Sequence, residues 1–335
     1  MAHELEIGGI ENRIEAAFAL TPGWHGLGRV LENVPDSITM LRESGLDWHV
    51  SMRPIADPTG YPVEGFKGTY RDDTNKSLGV VSEKYQIVQN VQAFDFLDSL
   101  LQDGIMRYES AGAIRGGRIV WVLGRMPTVD VVAADDTLNR YVLFTTSHDG
   151  KACLHAIPTS VRVVCANTYR AAIGDNKGYR HSGDMGKKLE LARQYISQFD
   201  EAFTLYRDSA RKLVEMPIGS ESAKRYVQTL FPPVNSASGK RNRSMVIRDN
   251  KVQKIRDNWR SERQQMPSIK GSWWAMFNSV TEFVDHQSSF KGEGRERKEN
   301  RMISTLDGDG ADFKNKAFGL AVEMSGINNK TVVTV

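Results

Sequence analysis

"RYVLFTTSHDGKACLHAIPTSVRVVCAN", residues 140–167, decides how the first half of this chain is read. Two runs rich in Val, Ile, Tyr, Phe and Thr flank Asp149-Gly150, a dipeptide that favours tight turns between antiparallel strands. The pattern predicts a hairpin with Ser147, His148, Asp149 and Lys151 at its turn. The second strand runs away from that turn, so Cys165 to Arg170 should lie at the far end of the sheet. The two polar groups are therefore not automatically one site.

Working outward, the neighbouring text has the same character. "LDWHVSMRPI" (46–55), "KGTYRDD" (67–73), "SLGVVSEKYQIV" (77–88), "RIVWVLGRM" (118–126) and "VDVVAA" (129–134) read as strands with short connections. One helix interrupts them: "NVQAFDFLDSLLQD" (90–103) has Asn90 as a plausible N-cap and Phe94, Leu97, Leu100 and Leu101 at helical spacing. After residue 185 the period changes. Leu189, Ala192, Ile196, Phe199, Phe203 and Tyr206 form one stripe, which predicts a single long amphipathic helix over 185–216. "SESAKRYVQTLF" (220–231) is a second helix, stopped by Pro232 and Pro233. "NSASGKRNRS" (235–244) is a polar connection, and helical segments follow near 246–263, 272–286 and 312–324. The expected class is α+β: a mainly antiparallel sheet in the N-terminal half with one crossing helix, followed by a helical C-terminal region. The expected organisation is an arm over 1–20 (a short polar helix or loose segment), a sheet domain over 21–185, a helical domain over 186–325 and a tail over 326–335.

Composition bounds the function. With 335 residues, 40% hydrophobic and 25% charged, the chain resembles an ordinary soluble globular protein. No apolar run reaches the roughly 20 residues of a membrane span. The first residues, "MAHELEIGGIENRIEAAF", carry early acids and no apolar core of a secretory signal. The two cysteines, Cys153 and Cys165, read as reduced core thiols of a cytoplasmic protein. A net charge of +3 does not by itself imply a nucleic-acid partner.

Several constellations invite a chemical reading. In "VRVVCANTYRAAIGDNKGYRH" (161–181) an apolar strand runs into Asn167, Thr168, Arg170, Arg180 and His181. Either Asn167 or Thr168 caps a short helix, or the group builds a site. His148, Asp149, His155 and His181 have ligand chemistry but lack helical i, i+4 spacing, so no metal is expected. Cys165 sits on an apolar strand that raises a thiol pKa, which argues against nucleophilic catalysis. "GWHGLG" (23–28) has its glycines wrongly spaced for a dinucleotide loop, and "LDGDGADF" (306–313) breaks the calcium-loop pattern at Gly310 and Ala311. No cofactor is expected.

The most directional signal lies over 238–263. Lys240, Arg241, Arg243, Arg248, Lys251, Lys254, Arg256, Arg260 and Arg263 face only Asp249, Asp257 and Glu262, a local charge of +6 against +3 for the whole chain. Trp259 lies among them, and Trp273, Trp274 and Phe277 follow. Cations interleaved with flat rings suit single-stranded nucleic acid. The alternative is a solvated helix face with the tryptophans packing a core.

"PGWHGLG" (22–28), "GVVSEKYQIVQN" (79–90), "FTTSHDG" (144–150), "VRVVCANTYRAA" (161–172), "YRHSGD" (179–184) and "WWAMFNSVTEFVDH" (273–286) resemble the phage/plasmid-like proteins of domain of unknown function family 932. The likeness runs from about residue 20 to 325. Ser182 stands where a threonine is usual, and Gln287 follows the final "DH". The resemblance implies a mobile-element protein in the cytoplasm of a bacterial host; it supplies no reaction.

Two functions from different classes stand open. The first is an oligomeric protein of replication or recombination that binds or anneals single strands. In it Arg162, Arg170, Arg180, Lys187 and Lys188 line a groove, the basic segment adds phosphate contacts, and His148, Asn167 and His181 brace the groove. The second is an enzyme in which His25, His148, Asp149, Asn167 and His181 act on a nucleotide or nucleic-acid phosphate, histidine being the natural acid or base near neutral pH. A counter-defence or host-takeover protein that binds a protein or small nucleotide is a further alternative.

Overall fold

The computed structural model describes residues 7–8, 13–20, 29–102, 104–161, 166–168, 178–196, 198–234, 242–292, 297, 300–301, 304 and 308–327. Its first elements are short strands: β1 (Ile7–Gly8), β2 (Arg13–Ile14), β3 (Ala16–Ala19) and β4 (Arg29–Leu31). Here the structure departs from the expected arm. Ala16, Ala17, Phe18 and Ala19 are all buried, and β3 pairs parallel with β4 through Ala17 and Arg29. Small side chains let this strand lie deep in the protein, and its backbone groups are satisfied there by neighbouring strands on both sides.

Helix α1 (Ser37–Glu43) follows, capped by Asp36, whose carboxylate accepts from Thr39 N at 2.7 Å. Strands β5 (Val50–Ala56), β6 (Pro62–Arg71) and β7 (Ser77–Ser82) form a three-stranded antiparallel sheet with β6 in the middle. After them come α2 (Asn90–Gln102), β8 (Arg107–Ile114), β9 (Ile119–Ala133), β10 (Asp136–Ser147), β11 (His155–Val161) and β12 (Ala166–Thr168). The order β12-β11-β10-β9-β8-β3-β4 makes a seven-stranded sheet, antiparallel except at β3–β4. The expected hairpin is present, with Thr145 opposite His155 and Leu143 opposite Ile157. Its connection spans residues 148–154 and places Asp149 and Gly150 within it, Gly150 at φ +72°. The two strands expected over 118–134 are one, carried through register shifts against β10 between Asp136 and Thr137 and between Asn139 and Tyr141.

The helical half contains α3 (Met185–Ile196), α4 (Phe199–Glu215), α5 (Ser220–Leu230), α6 (Arg243–Trp259), α7 (Trp273–Glu282), a π-helical turn (Phe283–Gln287) and α8 (Asp309–Ser325). The single long helix expected over 185–216 is two. Gln198 N reaches back three residues to Tyr195 O at 3.1 Å, tightening the chain between them. The apolar stripe survives the break: Ala192, Ile196, Phe199, Phe203 and Tyr206 are all buried.

Asn242 caps α6 by accepting from Met245 N at 3.0 Å, and Ser272 caps α7 by accepting from Ala275 N at 3.2 Å. Helix α7 is buried along its whole length. Tyr226 meets Trp273 edge-on at 5.6 Å, and Phe318 of α8 meets Phe277 at 5.3 Å and stacks on Tyr206 at 4.5 Å. Trp273, Trp274 and Phe277 are therefore core residues and not rings open to a nucleic acid. Trp274 Nε1 donates to Asp136 at the start of β10, 2.7 Å away, so the sheet and the helices share one interior.

Candidate functional site: a buried histidine node and a cationic helix

The loop after β10 is where three parts of the fold meet. Thr69 of β6 donates to His148 O at 2.6 Å, and Tyr85 donates to Ser147 O at 2.6 Å. A Cβ on Gly79 of β7 would sit 2.7 Å from Asp149 Cα, so only glycine lets this strand pass so close. The small sheet is thus stapled to the large one through backbone carbonyls.

His148 is completely buried. Its Nε2 lies 2.9 Å from Asn90 Oδ1. Asn90 Nδ2 donates to Leu46 O at 2.9 Å and Trp48 O at 3.3 Å, so Oδ1 must be the acceptor toward the ring. His148 is therefore the Nε2–H tautomer, with a bare Nδ1 that has no hydrogen-bond partner among the described residues. Burial, then the neighbouring His181 and Arg71, push its pKa down to about 3. A ring that is neutral at pH 7 and sealed from solvent does not exchange protons with a substrate.

His181 stacks on Tyr85 at 5.0 Å, donates from Nδ1 to Gln86 O at 3.1 Å and faces Thr146 Oγ1 from Nε2 at 3.3 Å. Burial lowers its pKa below the ordinary value despite the Gln86 carbonyl, which raises it. Beside this pair lies Trp48, edge-on to His148 at 5.5 Å and covered by the Arg71 guanidinium at 4.1 Å. Arg71 is buried and bidentate: its Nη atoms reach Glu15 at 2.7 and 3.0 Å, and Nε and Nη2 reach Asp73 at 3.0 and 2.7 Å. Asp149 is also buried and accepts from Lys151 N at 3.0 Å.

His148, Asp149 and His181 are thus brought together, and Asn167 is not. Asn167 pairs with Ser160 on β11, about 17 Å along the strand from His155. Its side chain, His25, Arg162, Cys165, Arg170, Lys240 and Arg241 lie outside the described residues. The amide that meets His148 is Asn90, read from sequence as a cap; its side chain is spent on residues 46, 48 and 148. Only its place next to an apolar helical run was visible, and that is also what a cap looks like.

The basic residues divide by environment. Arg180 and Lys187 are exposed. Lys188 is half-buried and donates to Arg180 O at 2.6 Å and to Ser182 O, so it ties the returning segment together. On α6 the buried positions are Val252, Ile255 and Asn258. Arg243, Lys251, Lys254, Arg256 and Arg260 are exposed, and among the described residues none of them meets a carboxylate. Arg263 is spoken for by Glu282 at 3.3 Å. Trp259 is half-buried against the core and is not a free platform. Beside α6 an open groove of about 380 Å³ runs against the π-helical turn.

Among the described residues no three His, Cys, Asp or Glu side chains cluster as metal ligands, and no helix is long and apolar enough to cross a membrane. Comparison with curated proteins and with solved structures finds no match. The profile of the family described as Domain of unknown function (DUF932) matches residues 77–306, from β7 through the π-helical turn and beyond, which is more than half of the chain. This chain belongs to the DUF932 family.

Proposed function

We propose that this chain binds single-stranded nucleic acid through the exposed cationic face of α6, with Arg180 and Lys187 as accessory phosphate contacts. One observation carries the reading: Arg243, Lys251, Arg256 and Arg260 are exposed and, among the described residues, none of them meets a carboxylate, in a segment of local charge +6. Surface cations are usually interspersed with acids that neutralise them, and a run left unneutralised attracts polyanions. The enzyme reading is the weaker one, because His148 is sealed and Asn167 stands at the opposite end of β11. The broader proposal is a phage- or plasmid-borne protein of the bacterial cytoplasm, acting as an oligomer in replication or recombination.

The test is salt-dependent binding to a fluorescent single-stranded oligonucleotide. Each phosphate contact contributes a slope of roughly −0.7 in log K against log salt, so four contacts give about −3. Replacing Arg243, Arg256 and Arg260 together by alanine should flatten that slope by about 2. No binding to single-stranded DNA or RNA at low salt refutes the proposal.

A further inference from the structure

A second set of exposed cations lies at the turn between β8 and β9. There Arg115, Gly116 and Gly117 are left-handed throughout, at φ +54°, +73° and +91°. Glycine adopts such values freely; a long side chain does so under strain, and strained positions gather at functional sites. Lys76, from the turn between β6 and β7, rests on this backbone: a Cβ on Gly116 would lie 2.6 Å from its Nζ. The acids nearby are already matched. Arg71 bonds both Glu15 and Asp73, Lys76 supplies the second positive charge beside Glu15, and Asp72 meets Arg53 at 3.8 Å. Arg118 lies outside that set of pairs. It is exposed, its carbonyl accepts from His148 N at 2.8 Å, and its guanidinium meets no carboxylate among the described residues.

The same turn is joined to the segment that follows α7. Arg115 Nη2 donates to Asn300 Oδ1 at 2.6 Å, and Asn300 Nδ2 donates to Lys291 O at 3.2 Å. Arg301 is engaged there, packed over the Phe290 ring at 5.5 Å and donating to Ser288 O at 3.3 Å. Lys291 and Arg297 are exposed and meet no carboxylate among the described residues. The stretch 288–301 holds five Lys and Arg against three Glu. At its other end Lys254 of α6 donates to Gln287 O at 3.1 Å, and Lys251, Lys254 and Ser289 line the groove beside α6. The exposed cations of α6 therefore lead, through Ser289 and Lys291, to Arg118.

We infer that the bound single strand continues past α6 onto this second cationic surface, where its phosphates meet Lys291, Arg297 and Arg118. The inference extends the proposed function and rests on it. All three side chains are exposed, so a phosphate reaches them without disturbing the core. Contacts of this kind hold the backbone and carry no base preference.

The experiment measures binding of the full chain to a fluorescent single-stranded DNA of about 30 nucleotides over a range of salt. Three further contacts add about −2 to the slope of log K against log salt, so the expected value is about −5 where α6 alone gives about −3. Arg118→Gln, Lys291→Gln and Arg297→Gln together should return it to about −3 and leave the urea midpoint of unfolding unchanged. The charge-keeping set Arg118→Lys, Lys291→Arg and Arg297→Lys should hold the slope near −5. A salt-dependent slope that the neutral set leaves unchanged overturns the second surface and leaves the α6 proposal standing. Equal flattening by the neutral and charge-keeping sets also overturns it, since the loss is then one of structure. Absence of binding at low salt overturns both.

Discussion

Acid should unfold this protein through His148, and the size of the effect can be worked from its surroundings. The ring is fully buried, with a pKa held at about 3 against an ordinary value near 6.5. A base whose pKa is depressed by folding takes its proton in the unfolded state first. Its contribution is complete above pH 6.5 and is lost as the pH falls toward 3. At pH 5 the loss is about 1.4 kcal/mol for each of 1.5 pH units, or about 2 kcal/mol, and about 5 kcal/mol if carried to the end. His181, lowered in the same direction by burial, adds to it. Glu15 acts oppositely, because burial raises its carboxyl, so total stability is the wrong quantity to compare. The clean readout is the difference between wild type and His148→Gln, which keeps an N–H for Asn90 and removes the titration. Urea unfolding followed by tryptophan fluorescence at pH 7.5, 6 and 5 should show wild type losing about 2 kcal/mol more than the variant over that range. Equal losses, or an imidazole that titrates near 6.5 by NMR in the folded protein, would refute the reasoning.

Other substitutions probe the same node and the helix. Glu15→Gln leaves Arg71 buried with only Asp73 and should cost about 2–4 kcal/mol in urea unfolding. Gly79→Ala drives a methyl to 2.7 Å from the Asp149 backbone and should destabilise by about 1–3 kcal/mol, again by urea unfolding. Asn90→Leu strands the His148 N–H and the Leu46 and Trp48 carbonyls; a loss of about 2–4 kcal/mol by calorimetry is expected. Trp259→Ala should lower stability by about 2 kcal/mol and leave the salt slope of oligonucleotide binding unchanged, since the ring packs on the core.

The parts of this fold legible in sequence are those set by local pattern. The Asp149-Gly150 hairpin, the run of strands and the stripe from Ala192 to Tyr206 follow from alternation, turn chemistry and helical spacing. What stayed hidden depends on partners distant in sequence. Ala16–Ala19 has no strand signature of its own and becomes a strand because β8 and β4 accept it on either side. Asn90 looks like a cap until the backbone of residues 46–48 and the ring of His148 arrive beside it. The density of cations over 238–263 was plain, but which were already neutralised was not, since Arg263 meets its acid nineteen residues later on α7. Trp259 likewise reads as a stacking ring until the interior under α6 is seen.

The position of β3 has a practical consequence for anyone dividing this chain. The family match opens at residue 77, within the small sheet, and leaves out β3 through β6. A fragment cut there would separate β7 from its neighbour β6 and strip β8 of the strand that covers its flank. It would also remove both Arg71 and Glu15, which close the node from the other side. Ala111 and Ala113, buried in the intact protein, would line a bare margin with unpaired N–H and C=O groups, a template for strands of other copies. Insolubility of such a fragment would then report a missing edge and not an inability to fold, and the first seventy-six residues would restore solubility where a detergent would not.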